Sequence, residues 1–453
     1  MNLPNYFLAD LPPEATLSAA MLSEACQTLK RNRQNYLAGR STQSLVEFLS
    51  QTANQWLDPA FPFRTLALEQ GPAATGFSRP TLANGLDAFF RQLNPENFQA
   101  LLEQDLGHGH RLDEMTSTAP EHRTNRAAVA TAPEFVMHIT AGNLPIPALQ
   151  SIVLGVLLRS AQLVKCATGA SLLPRLFAHS VYEADRKLGA CLEIAEWRGG
   201  NAALEKIVFE AADCVTASGN DESIAAIRSV MPKRTRLVPY AHRLSFAYIS
   251  SGVLSRLNAS QLAGRAATDV TAWNQLGCLS PHVIYVEAGG PVSAEQFAEL
   301  LAEELARREE SEPRGELPVE TAAAIASRRS FYDVRAAHSP DTRQWRSKDS
   351  TAWTVVFEAD PRFQVSCLNR FIYVKGVTNV TEALEGADSV RGSVSTVGLA
   401  APEDRTRALA IALARWGVTR VCPLGQMQNP PLAWRHDGRP PLGDLIIWTD
   451  WEG

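Results

Sequence analysis

The spacing of apolar positions changes along the chain, and the changes divide it. From Ser18 to about Leu106 apolar residues recur at three- and four-residue intervals, as in Leu45, Phe48 and Leu49 and again in Leu86, Phe89, Phe90 and Leu93. That spacing predicts a mainly helical stretch. From Phe135 the pattern becomes one of short apolar runs. Phe135-Val136-Met137-His138-Ile139 reads as a buried strand, Ala141-Gly142-Asn143 as a turn, and Ile146 to Arg159 as a helix. Further strands are predicted at Ala161–Lys165, near Lys206 to Phe209, at Cys214 to Ala217 and at Ala247 to Ile249. After Ser251 the alternation restarts. A helix is predicted over Leu262 to Ala272, a strand over Val283 to Val286, an amphipathic helix from Ser293 to about Arg308, and a charged loop from Glu309 to Pro318. Strands near Trp353 to Phe357, Phe371 to Val374 and Thr419 to Cys422, with a helix near Ala408 to Trp416, complete the second series. Strands alternating with helices indicate α/β units built on parallel sheets. The expected organisation is a helical region over 1–125, an α/β unit over 126–250, a second over 251–430, and a C-terminal strand or tail over 431–453.

Composition narrows the class of protein. Of 453 residues 45% are hydrophobic and 20% charged, the balance of a globular chain with apolar mass for several cores. A formal net charge of -5 supplies no field that would attract a polyanion, so nucleic acid is not an expected partner. The seven cysteines, at 26, 166, 191, 214, 278, 367 and 422, contain no C-x-x-C pair. That argues against a disulfide framework and against structural zinc, and fits a reducing compartment. His108-Gly109-His110 has no third ligand beside it in sequence, and we expect a solvated turn and no metal. Met1-Asn2-Leu3-Pro4 lacks a basic leader pattern, and the apolar run from Leu144 to Val164 is interrupted by Pro145, Pro147 and Arg159. The expectation is a cytoplasmic protein without an integral membrane segment.

Candidate chemistry centres on Cys278, in Trp273-Asn274-Gln275-Leu276-Gly277-Cys278-Leu279-Ser280-Pro281-His282. A Gly before it and a Ser-Pro after it put the thiol on a turn, where it is reachable and where backbone N–H groups face it. A thiolate in such a setting is a strong nucleophile. A single cysteine is more often a small buried hydrophobe, so the case depends on its surroundings.

The run Gln275-x-Gly277-Cys278-Leu279-Ser280-Pro281 resembles the nucleophile loop of the aldehyde dehydrogenase superfamily, most closely the LuxC-type acyl-CoA reductases that make aldehyde for bacterial luciferase. The resemblance extends to Ile139-Thr140-Ala141-Gly142-Asn143-Leu144-Pro145, to Val164-Lys165, to Ala217-Ser218-Gly219, to His242-Arg243-Leu244-Ser245-Phe246, and to the ends Trp434-Arg435-His436-Asp437-Gly438-Arg439 and Trp448-Thr449-Asp450-Trp451-Glu452. It covers roughly residues 125 to 453. It implies an aldehyde dehydrogenase-like α/β fold. A Rossmann-like nicotinamide-cofactor domain would lie over 126–250 and a catalytic domain over 251–430, with a C-terminal strand available for homo-oligomer formation.

The roles that follow are those the resemblance implies. Cys278 would carry the acyl group. Asn143, with the N–H of Cys278, would hold the oxyanion, a contact commonly worth about 3 kcal/mol; alone, Asn143 also reads as a turn residue before a Pro-capped helix. Thr140, Ala141, Ser218 and Gly219 would line the cofactor site, and Lys165 would meet the adenosine ribose. Thr168 stands where NAD-preferring relatives often have Glu; without that carboxylate a 2′-phosphate is tolerated, so NADPH is the expected cofactor. The Glu-Leu-Gly-Gly pattern of the hydrolytic enzymes is replaced by Ala241-His242-Arg243-Leu244. With no carboxylate there to activate water, an acyl-enzyme would persist until reduced. His242 would act as acid/base or CoA contact, or hold a structural place.

The expected reaction is reduction of an acyl-CoA, with CoA as leaving group, or of an acyl-carrier or acyl-protein thioester. An acyl-protein synthetase or transferase would then be a partner. The alternatives are a non-redox cysteine acyltransferase or thioesterase, using Cys278 with His242 or His436, and a catalytically silent partner subunit. Cys367-Leu368-Asn369-Arg370-Phe371 aligns only loosely with the superfamily's Glu-x-Phe-Gly-Pro stretch and leaves the nicotinamide ribose contacts unassigned.

Overall fold

The computed structural model describes residues 3–12 and 14–453. Met1 and Asn2, part of the start read above for a leader, lie outside the described residues. The chain forms two compact units, one of residues 1–75, 86–241 and 431–453, the other of residues 76–85 and 242–430.

The first unit opens with helices. Ala19–Tyr36, capped by Ser18, turns Leu22, Cys26 and Leu29 inward onto Phe135, Leu163 and Val208. Thr42–Leu57 buries Trp56, which stacks on Phe90 and donates through Nε1 to Ser180 Oγ at 2.9 Å. The strands of this unit are β1 (Arg126–Thr131), β2 (Phe135–Ile139), β3 (Ala161–Cys166), β4 (Leu192–Glu196), β5 (Cys214–Ser218) and β6 (Arg236–Tyr240). Five of them form a parallel sheet in the order β4-β3-β2-β5-β6. The chain walks outward from β2 through β3 to β4, then returns to the other side of β2 for β5 and β6. A topological switch point therefore falls at the carboxyl ends of β2 and β5, the place where such sheets bind ligands.

Two readings of this region need correction. Lys206 to Phe209 is not a strand but part of the helix Ala202–Ala211. Asn201 caps the N–H of Leu204, and Leu204 and Val208 supply the buried stripe at four-residue spacing. A four-residue apolar run cannot separate strand from helix, and here the cap decided. The outer strands β4 and β6 were not foreseen; their charged, half-buried positions dilute the apolar signal.

The second unit contains β7 (Leu244–Ile249), β8 (Pro281–Glu287), β9 (Thr342–Arg346), β10 (Thr354–Glu358), β11 (Phe371–Val377), β12 (Val394–Ala400) and β13 (Arg420–Pro423). They form one sheet in the order β13-β12-β7-β8-β11-β10-β9, parallel except where β9 runs against β10. Helices Ala259–Thr271 and Ala294–Ser311 cover one face through Leu262, Ala266, Phe297 and Leu301. The helix Glu403–Trp416 covers the other with Leu409 and Leu413. Burial on both faces explains why β7 and β8 are apolar or buried throughout and do not alternate. The last strand, β14 (Ile447–Glu452), returns to the first unit and pairs antiparallel with β1, all six residues exposed. Among the described residues no helix is long and apolar enough to cross a membrane.

Candidate active site

At the switch point of the first sheet, a cavity of about 870 Å³ is lined by Thr140, Ala141, Lys165, Ser218 and Gly219. Five of the six residues expected at the cofactor thus face one space. Thr168 is not among its lining residues. It is exposed on the turn after β3, where the N–H of Gly169 (φ 79°) donates to Glu196 Oε1 at 2.7 Å. Lys165 ends β3 almost fully buried, its ammonium 5.9 Å from the Trp197 ring centroid. Burial holds its pKa below the usual lysine value, opposed first by the negative charge of Glu205. Glu205 and Lys206 line the same cavity, and Glu205 Oε1 accepts the N–H of Gly200 at 2.8 Å. Sequence reasoning missed both because it read their segment as a strand. The signal available was the Gly199-Gly200-Asn201 turn and cap.

At the Ser218-Gly219 turn the Gly219 N–H already donates to Tyr240 O, at 3.2 Å. The helix that follows, Asp221–Val230, has its N–H of Ser223 capped by Asn220 and carries Asp221 and Glu222 in its first turn. Its positive end is partly complemented by the chain itself. The cationic side chains lining this cavity, Lys165 and Lys206, therefore dominate its attraction for anions. Below it, His138 on β2 spans the sheet, 2.7 Å from Thr216 Oγ1 on β5 and 3.1 Å from Gln162 Oε1 on β3. Full burial lowers its pKa to about 4 and keeps the ring neutral. Asn143 lies exposed in the bend between β2 and the helix Ile146–Leu157, at the same carboxyl end.

Cys278 belongs to the second unit, half-buried in the loop that enters β8. Its carbonyl accepts the Ser245 hydroxyl from β7 at 2.7 Å, and Ser280 Oγ accepts the Gln428 amide at 2.5 Å. Gly277 lies so close to that amide that a Cβ would collide with it. Before the loop, Trp273, Asn274 and Gln275 all take left-handed backbone, with φ of 52°, 51° and 65°. Gln275 Nε2 donates to Pro281 O at 2.7 Å and Phe371 O at 3.0 Å, and Asn274 Nδ2 donates to Arg314 O at 2.6 Å. Of the other six cysteines five are buried and Cys367 is half-buried like Cys278; burial raises the thiol pKa of all six, Cys166 and Cys191 to about 12.

His242 is exposed at the entrance to β7. Four residues after the cysteine, His282 is buried, its pKa lowered to about 4 by burial and secondarily by the charge of His242. Its Nδ1 accepts the Ser366 N–H at 3.1 Å, so the neutral ring carries its proton on Nε2. His436 lies in the first unit, stacked at 4.4 Å on Tyr240 in the turn before the C-terminal strand. His108 is half-buried and His110 exposed, both in the turn after the helix that ends at Leu106, their rings 5.6 Å apart. Among the described residues no group of three His, Cys, Asp or Glu is arranged to hold a metal ion.

The solved structures to which this fold is similar include aldehyde dehydrogenases and bifunctional proline utilization A proteins. A putative aldehyde dehydrogenase from Burkholderia cenocepacia superposes with a TM-score of 0.73 at 14% identity, over 98% of this chain and 94% of that one. An NAD-dependent benzaldehyde dehydrogenase from Corynebacterium glutamicum superposes with a TM-score of 0.69 at 12% identity, over 96% and 91%. In sequence the chain is similar to long-chain acyl-protein thioester reductase 2 of Photobacterium leiognathi, 21% identical over 95% of this chain and 85% of the relative. It is also similar to the long-chain acyl-protein thioester reductase of Aliivibrio fischeri, 23% identical over 78% and 70%. The profile described as "Acyl-CoA reductase (LuxC)" matches residues 37–448. This match over most of its length assigns the chain to the LuxC acyl-CoA reductase family, on an aldehyde dehydrogenase-like fold.

Proposed function

We propose that the protein reduces an acyl thioester to the aldehyde with NADPH, through an acyl group carried on Cys278. The thioester is an acyl-CoA or an acyl group presented on a carrier or partner protein. The observation that carries this reading is the half-buried Cys278 on a loop pinned by Ser245, Gln275 and Gln428. The names of the relatives support the substrate class.

The Cys278 thiolate adds to the thioester carbonyl carbon, forming a C–S bond as the carbonyl π pair moves onto oxygen. Collapse expels the thiol of the donor, which takes up a proton, and leaves the acyl group on Cys278. The N–H of Cys278 and the Asn143 amide are the proposed donors to that oxygen, roles carried over from the resemblance. When bound, reduced nicotinamide would supply a hydride to the acyl carbonyl carbon, leaving a thiohemiacetal alkoxide on Cys278. Cys278 then leaves as thiolate and the aldehyde is free. His242 is the proposed acid/base or CoA contact. The absence of a carboxylate in Ala241-His242-Arg243-Leu244 protects the acyl group from water.

The first unit fits the cofactor: Lys165 and Lys206 with the hydroxyls of Ser218 and Ser223 would hold phosphate oxygens in a cavity of sufficient size. NADPH over NADH rests on Lys165 in the cavity; Thr168, in place of a carboxylate, stands on the exposed turn beyond its lining. Following nicotinamide absorbance with NADPH and a long-chain acyl-CoA tests the reading. Oxidation should require the acyl-CoA and vanish in Cys278→Ala. Thioester reduction surviving in that variant would sink it, and acyl release without any nicotinamide would instead favour a transferase or thioesterase.

A further inference from the structure

We propose that Arg370 is a positioning residue for the nucleophile, acting through Asn274 to fix the backbone that presents Cys278. The proposal rests on the reading of Cys278 given above. Arg370 is fully buried immediately before β11. Its Nε donates to Asn274 Oδ1 at 3.2 Å, and its Nη1 donates to Glu309 Oε2 at 2.9 Å and to Glu312 O at 2.8 Å. Its Nη2 is buried without a hydrogen-bond partner, so the bonds from Nε and Nη1 are what offset the desolvation of the guanidinium. Here they join three segments distant in sequence: the loop before Cys278, the loop before β11, and the end of the helix Ala294–Ser311.

The backbone on both sides of this junction is strained. Leu368, Asn369 and Arg370 have φ of 58°, 54° and 66°, mirroring Trp273, Asn274 and Gln275. Two runs of three non-glycine residues in left-handed conformation persist only where surroundings over-determine them. The surroundings are the two runs themselves. Arg370 reaches Asn274, and Gln275 reaches back to Phe371 O. Asn274 then passes the restraint to Arg314 O, while Glu309 also accepts the N–H of Arg314. Trp273 is held from the remaining side by Phe77, edge to face at 5.2 Å, and by Gly85, where a Cβ would enter the indole. A buried arginine serving packing alone would have no reason to end on the amide four residues before the thiol. The segment where this chain departs from the superfamily pattern thus acquires a task, holding the loop rather than touching substrate.

The test uses the full chain with Asn274→Ala and Arg370→Met. Asn274→Ala leaves the Arg370–Glu309 pair in place, so it reads the clamp even where Arg370→Met loses the fold. Two quantities are measured, the second-order rate of Cys278 alkylation by iodoacetamide, followed by peptide mass spectrometry across pH, and kcat and KM for acyl-CoA reduction. We expect kcat to fall about 100-fold, the scale of an ångström-sized misplacement of a reacting group. KM for NADPH should stay within twofold, and the alkylation profile of Cys278 should change. Folded variants with alkylation and kcat within twofold of the parent would overturn the clamp. The alkylation arm needs no substrate, so it tests the clamp even if the parent reduces no acyl-CoA.

Discussion

On the proposed reading, Lys165 is the side chain at which burial bears on cofactor selectivity. Lys165 is 7% exposed at a cavity whose other charged lining groups are Glu205 and Lys206. A charge-assisted contact to a 2′-phosphate in such a setting is worth about 1.5–3 kcal/mol. Lys165→Met should therefore raise KM for NADPH by about 10- to 100-fold and that for NADH much less, as initial rates with the two cofactors will reveal. Because burial lowers the pKa of Lys165, the NADPH advantage should fade on raising the pH sooner than an exposed lysine would allow. Cys278, Asn143 and Lys165 were candidates in the sequence because each sits in a short motif. Arg370 and His282 were not, since their partners Asn274 and Ser366 lie 96 and 84 residues away. Glu205 was hidden because the strand expected near Lys206 to Phe209 left unseen the helix Ala202–Ala211 that carries it.

Among the elements, β2 carries the most because the switch point depends on it. The rung Thr216–His138–Gln162 crosses β5, β2 and β3, and Gln162 Nε2 continues it to Ile152 O at 3.2 Å. Gly155 leaves room for that amide; a Cβ there would strike it. His138 titrates near 4 when folded and near 6.5 when exposed, so the unfolded chain binds the extra proton between those values. The stability it contributes is complete above the unfolded pKa and is lost as the pH falls through about 4. At 1.36 kcal/mol per unit, that loss is about 3 kcal/mol. Urea unfolding of the parent and of His138→Gln, from pH 7 down to 4, should find the parent losing about that much more; parallel slopes would refute a neutral buried ring. Elements with a long period or a continuous apolar run were read correctly, as in β2, β3, β8 and the helix from Ser293. Those decided by a cap, as at Asn201, or by half-buried polar positions, as in β4 and β6, were not.

For the whole molecule, the α/β class with a helical beginning was legible, because period changes survive at low resolution. The discontinuity of the two units was not. Residues 76–85 fold with 242–430, and residues 431–453 fold with the beginning of the chain. Such returns leave no local mark, since they are fixed by contacts made hundreds of residues apart. One of them, β14, has a spectroscopic consequence. Six of the nine tryptophans are buried and Trp345 is half-buried, whereas Trp448 and Trp451 stand exposed on a strand that pairs on one side with β1. Acrylamide will therefore quench chiefly the red edge of the emission. If like chains assemble by adding to this open strand, as we expect of a homo-oligomer, that quenchable fraction will shrink and the emission shift to the blue as protein concentration rises. A spectrum indifferent to concentration would leave the two indoles as a built-in reporter for whatever else, if anything, docks at that edge.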